Sequence, residues 1–371
     1  MNIEFHYYIN LIIAAYSGYG INDAYTIAYS AQYVDNNTKF WYVYRKKEEP
    51  SQSGLMPNSI PTKESYQKFL PTQTSDLSLS FYTKAKIYLP FHFIPGNFFR
   101  GSRLRLDNRI HQLCTTPNSF LARYGLEKAL VSGQMHRIGI ASHAFVDTWA
   151  HQNFVGIHDS FNVATKLCAA FTKCLEKDYM PVGHMDALHD PDLIGEVWHD
   201  SRLKQSQIAN NERFMQAAKS LCREYCRYLW SGVRNSTTQD QKDKIQDQSW
   251  CSQFVTRWER LKPILTKIFQ TFHIDDRMNI YNDTIKKLSK CDMVEYNQRL
   301  WLDAATYSFK PESKISGSGL LSLSVQTLMW RDRYYKHSDW YKFQSAAGGH
   351  VKCLWPLINK KLKLVLKSRS C

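Results

Sequence analysis

Apolar residues along this 371-residue chain recur mostly at helical spacing, and stretches with the alternation typical of strands are few. The pattern predicts a first helix over residues 3–17 that ends at Gly18, and a second that begins at Asn22 or Asp23 and ends at 35–37. Helical periodicity returns over residues 120–175, 207–230 and 250–300. We therefore expect a mostly α fold without an internal repeat.

Three polar stretches interrupt the helical pattern. Residues 46–80 are rich in Lys, Ser, Pro and Thr and predict a long surface excursion, while 236–248 and 313–324 have the composition of a linker or a break. The predicted organisation is a metal-binding helical core over 1–230, a helical insertion or accessory region over 231–330, and C-terminal helices over 331–371 that return to the core and end in a basic tail.

The charge of the chain points to an anionic partner. Lys and Arg outnumber Asp and Glu by 48 to 33, a surplus of +15 that suits nucleic acid, an acidic membrane surface or a phosphate-bearing substrate. The nine cysteines are scattered without a CxxC pair, which argues against a disulfide framework and a thiolate zinc finger. Cys222 and Cys226 are expected to be packed thiols.

The amino-terminal apolar run lacks the features of a secretion signal. No basic residue precedes it, Glu4 lies within it, and Gly18 and Gly20 end it well short of a membrane-spanning length. We expect a soluble protein without a signal peptide or transmembrane segment, either cytoplasmic or exported by a signal-peptide-independent route.

Residues 136–154, HRIGIASHAFVDTWAHQNF, carry the most informative motif. His136, His143, Asp147 and His151 are spaced by seven, four and four residues. At roughly 100° per residue, all four side chains share one face of a helix. A solvated polar face is the alternative to a metal site, but the flanking residues are too apolar for a helix surface in water. The motif therefore favours metal binding.

Further candidate ligands are spread along the chain: His6, Asp35, His92, His184 and Asp192. A single histidine among aromatic residues is commonly a hydrogen-bonded core residue, so each position alone carries little weight. Together they supply imidazole and carboxylate donors without cysteine, the set that suits zinc acting on phosphate esters with one coordination position open.

The pattern H-x6-H-x3-D-x3-H-x2-F, followed by Gly-His and Pro-Asp, resembles the zinc-dependent phospholipase C superfamily, which includes fungal single-strand nucleases. The segments MNIEFHYYINLIIAAYSGYGINDAYTIAYSAQYVDNN, PFHFIPG and DWYKFQSAAGGHV resemble a bacterial branch of that fold. The similarity covers roughly residues 1–45, 85–230 and 335–358. It implies a zinc-dependent phospholipase C-like helical fold with insertions.

The resemblance also implies a cluster of two or three zinc ions. One ion would be held by Asp35, His92 and His143 with Asp147 as a bridge, a second by His151, His184 and Asp192, and a third by His6 and Asp147. Asp186, His189 and Asp190 are rivals of Asp192 for the second ion. Secreted relatives use an amine ligand from a cleaved amino terminus, and here Glu4 or the Met1 amine would take that place.

The activity implied is hydrolysis of glycerophospholipids by a phospholipase C, with the phospholipid membrane surface as partner. Asp35 would orient the attacking water or accept its proton. His136, Asn153 and Glu4 would support the ligands or the substrate, and Phe154 would line the cleft or pack in the core. The alternatives are a single-strand nuclease, with nucleic acid as partner, and a non-catalytic metal-binding effector or scaffold.

The last twenty residues alternate apolar and basic positions and contain no acidic residue. The spacing predicts an amphipathic helix that either docks on anionic lipid or packs on the core with its lysines in water.

Overall fold

Helix is the main element of the computed structural model, which describes residues 1–45, 66–76, 78–164, 181–231, 249–308 and 325–369. The mostly α class is thereby confirmed. The polar stretches 236–248 and 313–324, and most of the predicted excursion over 46–80, lie outside the described residues.

The two amino-terminal helices follow the predicted pattern closely. A π-helical segment, Glu4–Ile9, continues directly as α1 (Asn10–Ser17). That helix ends at Gly18, whose φ of 116° lies in the left-handed region that glycine adopts without steric cost. The second helix, α2 (Ile21–Asn36), begins one residue before the predicted Asn22.

Side-chain caps mark the start of the next three helices. Ser80, Asn97 and Ser119 accept hydrogen bonds from backbone N–H groups at the start of α3 (Phe81–Phe91), α4 (Phe98–Leu104) and α5 (Phe120–Ser132). The motif helix is α6 (Met135–Ala150). The later helices are α7 (Asn210–Trp230), α8 (Ser249–Gln270), α9 (Ile274–Ser289), α10 (Leu300–Ala305) and α11 (Asp339–Arg369). Single 3-10 turns lie at Ser160–Asn162, Met185–Ala187, Asp190–Asp192 and Tyr335–His337.

Helix α6 forms the centre of the core, with α2, α5, α7 and α11 packed around it. Gly139 is the closest point of the α2 contact. A Cβ atom at this position would lie 2.2 Å from the carbonyl oxygen of Ile27 and 2.5 Å from the Cβ of Ser30. The absence of a side chain therefore lets the two helices approach.

A four-stranded sheet flanks the helices in the order β2–β1–β6–β5. Strand β1 (Phe40–Tyr44) pairs antiparallel with β2 (Tyr66–Phe69) and parallel with β6 (Val325–Trp330), and β5 (Thr306–Ser308) pairs antiparallel with β6. A separate two-stranded ribbon joins β3 (Val197–His199) to β4 (Gln207–Ala209).

Residues 249–308 share the buried core of the amino-terminal helices. Trp258 and Leu261 of α8 and Tyr281 of α9 belong to the same apolar cluster as α1. The guanidinium of Arg257 donates to the carbonyl of Tyr16 at 2.9 Å. The division of the chain at 230 and 330 stays a prediction.

The apolar face of the last helix is buried. Leu354, Ile358, Leu362 and Val365 of α11 pack into the core, while the lysines at 352, 360, 363 and 367 are exposed. This confirms the interpretation of the tail as a final helix packed on the core. Within the described ranges, none of the helices combines the length and the apolar content needed to cross a membrane.

Candidate metal centre

The carboxyl-terminal half of α6 presents the predicted ligand face. His143 and Asp147 lie one turn apart and are almost completely buried, and His151 follows as the residue that ends the helix. All three point into the core, because the apolar residues around them pack against four neighbouring helices.

The other candidate ligands reach this face from separate elements. His6 comes from the π-helical segment, Asp35 from the last turn of α2, and His92 from the residue that ends α3. His184 and Asp192 come from two 3-10 turns between α6 and α7. In the described part of the chain these side chains form three groups that could hold a metal ion.

The first group contains Asp35, His92 and His143. The distance from His143 Nε2 to His92 Nδ1 is 3.2 Å, and from His143 Nε2 to Asp35 Oδ1 it is 3.7 Å. Asp35 has the most exposed side chain of the predicted ligands, at 27%. Solvent therefore reaches the centre beside this carboxylate.

The second group contains His6, His143 and Asp147. His6 Nε2 lies 3.1 Å from Asp147 Oδ1, and His143 Nε2 lies 3.1 Å from Asp147 Oδ2. His92 Nδ1 lies 3.4 Å from the same Oδ2 atom. The two oxygens of Asp147 thus face different imidazoles, which is the placement that a bridging carboxylate requires.

The third group contains His151, His184 and Asp192. His151 Nε2 lies 3.3 Å from Asp192 Oδ1, and His184 Nε2 lies 3.2 Å from Asp192 Oδ2. Among the rivals, Asp186 accepts a hydrogen bond from the backbone N–H of Ala164 at 2.6 Å. The geometry therefore favours Asp192 as the carboxylate of this group.

Backbone carbonyls orient three of the five imidazoles. His92 Nε2 donates to Thr72, His151 Nδ1 donates to the carbonyl of His92, and His184 Nδ1 donates to Leu188, at 2.9, 2.7 and 2.8 Å. In each ring the other nitrogen faces the carboxylates, where the neutral imidazole can offer its lone pair to a metal ion. Fixing the tautomer through the outer nitrogen is the usual arrangement in metal-binding histidines.

Sequence reasoning did not identify these carbonyl acceptors. Thr72 and Leu188 act through the backbone, so no side-chain type marks them. Leu188 has a φ of 50°, which is strained for a residue with a side chain, and this conformation directs its carbonyl to His184.

The centre concentrates charge in a buried environment. Burial opposes ionisation of Asp147 and Asp192, but the surrounding cationic groups outweigh it and hold the pKa of both carboxyls well below their usual range. Burial raises the pKa of Asp35 despite its histidine neighbours. Burial also lowers the pKa of His6 and His151, which favours the neutral imidazole that binds metal.

The two proposed substitutes for an amine ligand lie in different surroundings. The Met1 nitrogen lies 2.6 Å from Asp147 Oδ1 and 3.1 Å from Asp192 Oδ1. These carboxylates outweigh the effect of burial and raise the pKa of the Met1 ammonium to about 10. Glu4 instead pairs with Arg277, so its carboxylate is directed away from the ligand groups.

The predicted supporting residues differ in their surroundings. His136 pairs with Asp339 at 3.1 Å, because the seven residues to His143 place it roughly 10 Å away along α6. Asn153 is buried with a φ of 66°, and among the described residues its side-chain oxygen and nitrogen have no hydrogen-bond partner. Phe154 is fully buried and packs in the core.

The residues of the centre fit bound metal. The Nδ1 atoms of His6 and His143 are buried without a hydrogen-bond partner in the described structure, a costly arrangement for polar atoms unless a ligand satisfies them. Donors are imidazole and carboxylate throughout, and each group has its ligand atoms within 4.8 Å of one another. This donor set suits zinc and other borderline divalent ions.

Comparison with known proteins gives a family but no described relative. No curated protein and no solved structure matches the chain. Residues 1–358 match the model of a family described as "Family of unknown function (DUF6765)", and because the match covers nearly the whole chain, the protein belongs to that family.

Proposed function

We propose that this protein is a zinc-dependent phosphodiesterase that hydrolyses glycerophospholipids on the glycerol side, as a phospholipase C does. The observation that carries the proposal is the joining of three imidazole and carboxylate groups into one buried centre. Asp147 and His143 link two of the groups, and Asp147 also lies 3.7 Å from His151 of the third. Adjacent metal sites of this kind are typical of phosphodiester hydrolysis.

Bound zinc would supply a water nucleophile at neutral pH and would neutralise negative charge on the phosphate oxygens. Asp35 is the residue placed to accept a proton, because its carboxylate is the most exposed of the set and its pKa is raised by burial. Asp147, Asp192 and the five histidines would bind the zinc ions and orient them.

Apolar side chains beside the third group favour a lipid substrate. Leu188, whose carbonyl orients His184, has a side chain that is 71% exposed. Two further exposed apolar side chains lie near Asp192. Leu193 follows it in the chain, and Ile3 is next to Asn2, whose N–H donates to the carbonyl of Asp192 at 3.2 Å. Exposed apolar residues at the edge of a site suit contact with a lipid surface better than with a polyanion.

One observation favours the second candidate, a single-strand nuclease. Phe272 is 86% exposed, and its carbonyl accepts from Arg277, the residue that binds Glu4 near His6. An exposed aromatic ring near a basic protein's metal centre could stack on an unpaired base. The surplus of +15 charges suits either substrate.

The test measures release of phosphorylated head groups from mixed liposomes beside cleavage of single-stranded DNA. Asp147→Asn keeps the shape of the side chain and removes its charge, so we expect the activity to fall by about 100-fold or more, since even outer partners of metal ligands contribute about 10–100-fold. His136→Gln is the matched control: it changes an imidazole on the same helix that pairs with Asp339, and activity should persist.

Two rim variants separate the candidates. Leu188→Gly retains the carbonyl that orients His184 and removes the apolar side chain, so hydrolysis of liposomes should fall while hydrolysis of a water-soluble phosphodiester persists. Phe272→Ala should instead weaken cleavage of DNA if the nuclease is correct. Zinc-loaded protein that is inert on all three substrates would leave only a non-catalytic metal-binding effector or scaffold.

A further inference from the structure

A buried ion pair joins two parts of the chain that are 273 residues apart. Arg277 of α9 donates from Nε to Glu4 Oε2 at 2.6 Å and from Nη2 to Glu4 Oε1 at 2.9 Å. Both residues are buried, and the two parallel bonds fix the carboxylate and the guanidinium in one plane. Such a pair constrains direction as well as distance.

The same guanidinium also holds the connection between α8 and α9. Arg277 Nη1 donates to the carbonyls of Thr271 and Phe272, at 2.9 and 2.6 Å. The hydroxyl of Tyr281 donates to Glu4 Oε2 at 3.1 Å, and the Tyr281 ring stacks on Tyr8 at 5.2 Å between centroids. Helix α9 therefore contacts the π-helical segment at two positions, Glu4 and Tyr8.

The π-helical segment Glu4–Ile9 carries the candidate ligand His6, which is held differently from the other imidazoles. His92, His151 and His184 each have a backbone acceptor for the outer nitrogen. In the described structure Nδ1 of His6 has no hydrogen-bond partner, Nε2 faces Asp147 Oδ1 at 3.1 Å, and the ring stacks on His143 at 3.8 Å. The direction of His6 therefore depends on the position of its own backbone.

We infer that Arg277, acting through Glu4, is the positioning residue that holds the metal ligand His6 in place. The inference rests on the metal centre of the proposed function. It gives the accessory region after residue 248 a role in the centre: α9 fixes the segment that supplies one ligand of the His6, His143 and Asp147 group. The ion pair also engages Glu4, so this carboxylate does not compete for the ion.

The experiment compares zinc affinity and stoichiometry in the full-length protein, titrated against a chromophoric chelator. Arg277→Met should weaken binding of one ion by about 10–100-fold, the usual effect of losing an outer partner of a metal ligand, and leave the remaining ions unchanged. Amide hydrogen exchange of residues 4–9, measured without metal, should become faster. Arg105→Met is the matched control, because Arg105 makes an equally bidentate pair with Asp107 just after the end of α4.

A double variant separates positioning from stability. Glu4→Met with Arg277→Met leaves no unpaired buried charge, so the metal-free protein should melt closer to the wild type than Arg277→Met alone does. Flexible methionines do not fix the π-helical segment, so binding of one zinc ion should be weakened in this double variant as it is in Arg277→Met. Wild-type affinity in the double variant, or in Arg277→Met once folded, would overturn the inference while leaving the proposed function intact. If Arg277→Met weakens zinc binding but the wild type is inert on every substrate, the inference stands and the proposed function is overturned. A wild-type protein that binds no zinc would overturn both the inference and the proposed function.

Discussion

Removal of zinc from the purified protein should lower its melting temperature by about 5 °C for each ion lost. An ion present at about 1,000 times its dissociation constant stabilises the folded state by about 4 kcal/mol. Unfolding entropy near 60 °C is about 2.1 cal/mol/K per residue, which gives about 0.8 kcal/mol/K for a chain of 371 residues. The ratio of these two quantities gives a decrease in melting temperature of about 5 °C for each ion. Loss of one zinc ion from each of the three groups would therefore lower the melting temperature by about 15 °C.

The effect follows from where the ligands lie along the chain. The first group combines Asp35, His92 and His143, and the third combines His151 with His184 and Asp192. An unfolded chain cannot bring such separated residues together without a large loss of conformational entropy, so the ions bind the folded state.

Differential scanning calorimetry measures the shift, with excess zinc in one sample and a chelator in the other, and elemental analysis verifies removal. Readdition of zinc should restore the original melting temperature. Asp192→Asn should lose about one third of the shift, because it disables only the third group, while His136→Gln should show the full shift. An unchanged melting temperature after verified removal of zinc would refute the reasoning.

Two further predictions concern packing and pH. Gly139→Ala should lower the free energy of unfolding by about 1–3 kcal/mol, because the new Cβ would overlap the carbonyl of Ile27. At Gly348 on α11 a new Cβ has no atom within 4 Å, so Gly348→Ala should raise the free energy of unfolding by up to about 1 kcal/mol. Urea denaturation measures both changes. Burial lowers the pKa of His350 to about 4 from its usual value near 6.5. Between these two pH values the unfolded chain therefore binds more protons than the folded chain. The contribution of neutral His350 to the stability of the folded state is complete above pH 6.5 and is lost towards pH 4. It amounts to about 3 kcal/mol, so the stability difference between wild type and His350→Gln should change by that amount, and a pH-independent difference would contradict the assignment.

Local sequence signals were sufficient for the helices around the centre. The end of α1 at Gly18 and the position of α6 follow from a left-handed residue and from a regular apolar spacing, both of which are properties of short segments. The sheet is different, since β1 has the sequence FWYVY but its parallel partner β6 lies about 280 residues later. Pairing over that distance leaves no local signature.

The same distinction applies to the candidate centre. The shared face of His143, Asp147 and His151 follows from helix geometry alone. The choice of Asp192 over Asp186 depends on which carboxylate is already bonded to a backbone N–H, and that contact comes from tertiary structure. The role of Arg277 was invisible for the same reason, because nothing in the sequence near residue 277 indicates a partner at residue 4.

The unequal packing of the ligands has a kinetic consequence. The side chains of His6, His143 and Asp147 are at most 1% exposed, so an ion bound by this group leaves only through a rare opening of the core. His184 and Asp192 lie on single 3-10 turns at the edge of the fold and retain some exposure to solvent. Fluctuation of these turns would release their ion without disturbing the core. Exchange against isotopically labelled zinc should then proceed in two phases, and the slow phase would report on the His6, His143 and Asp147 group alone.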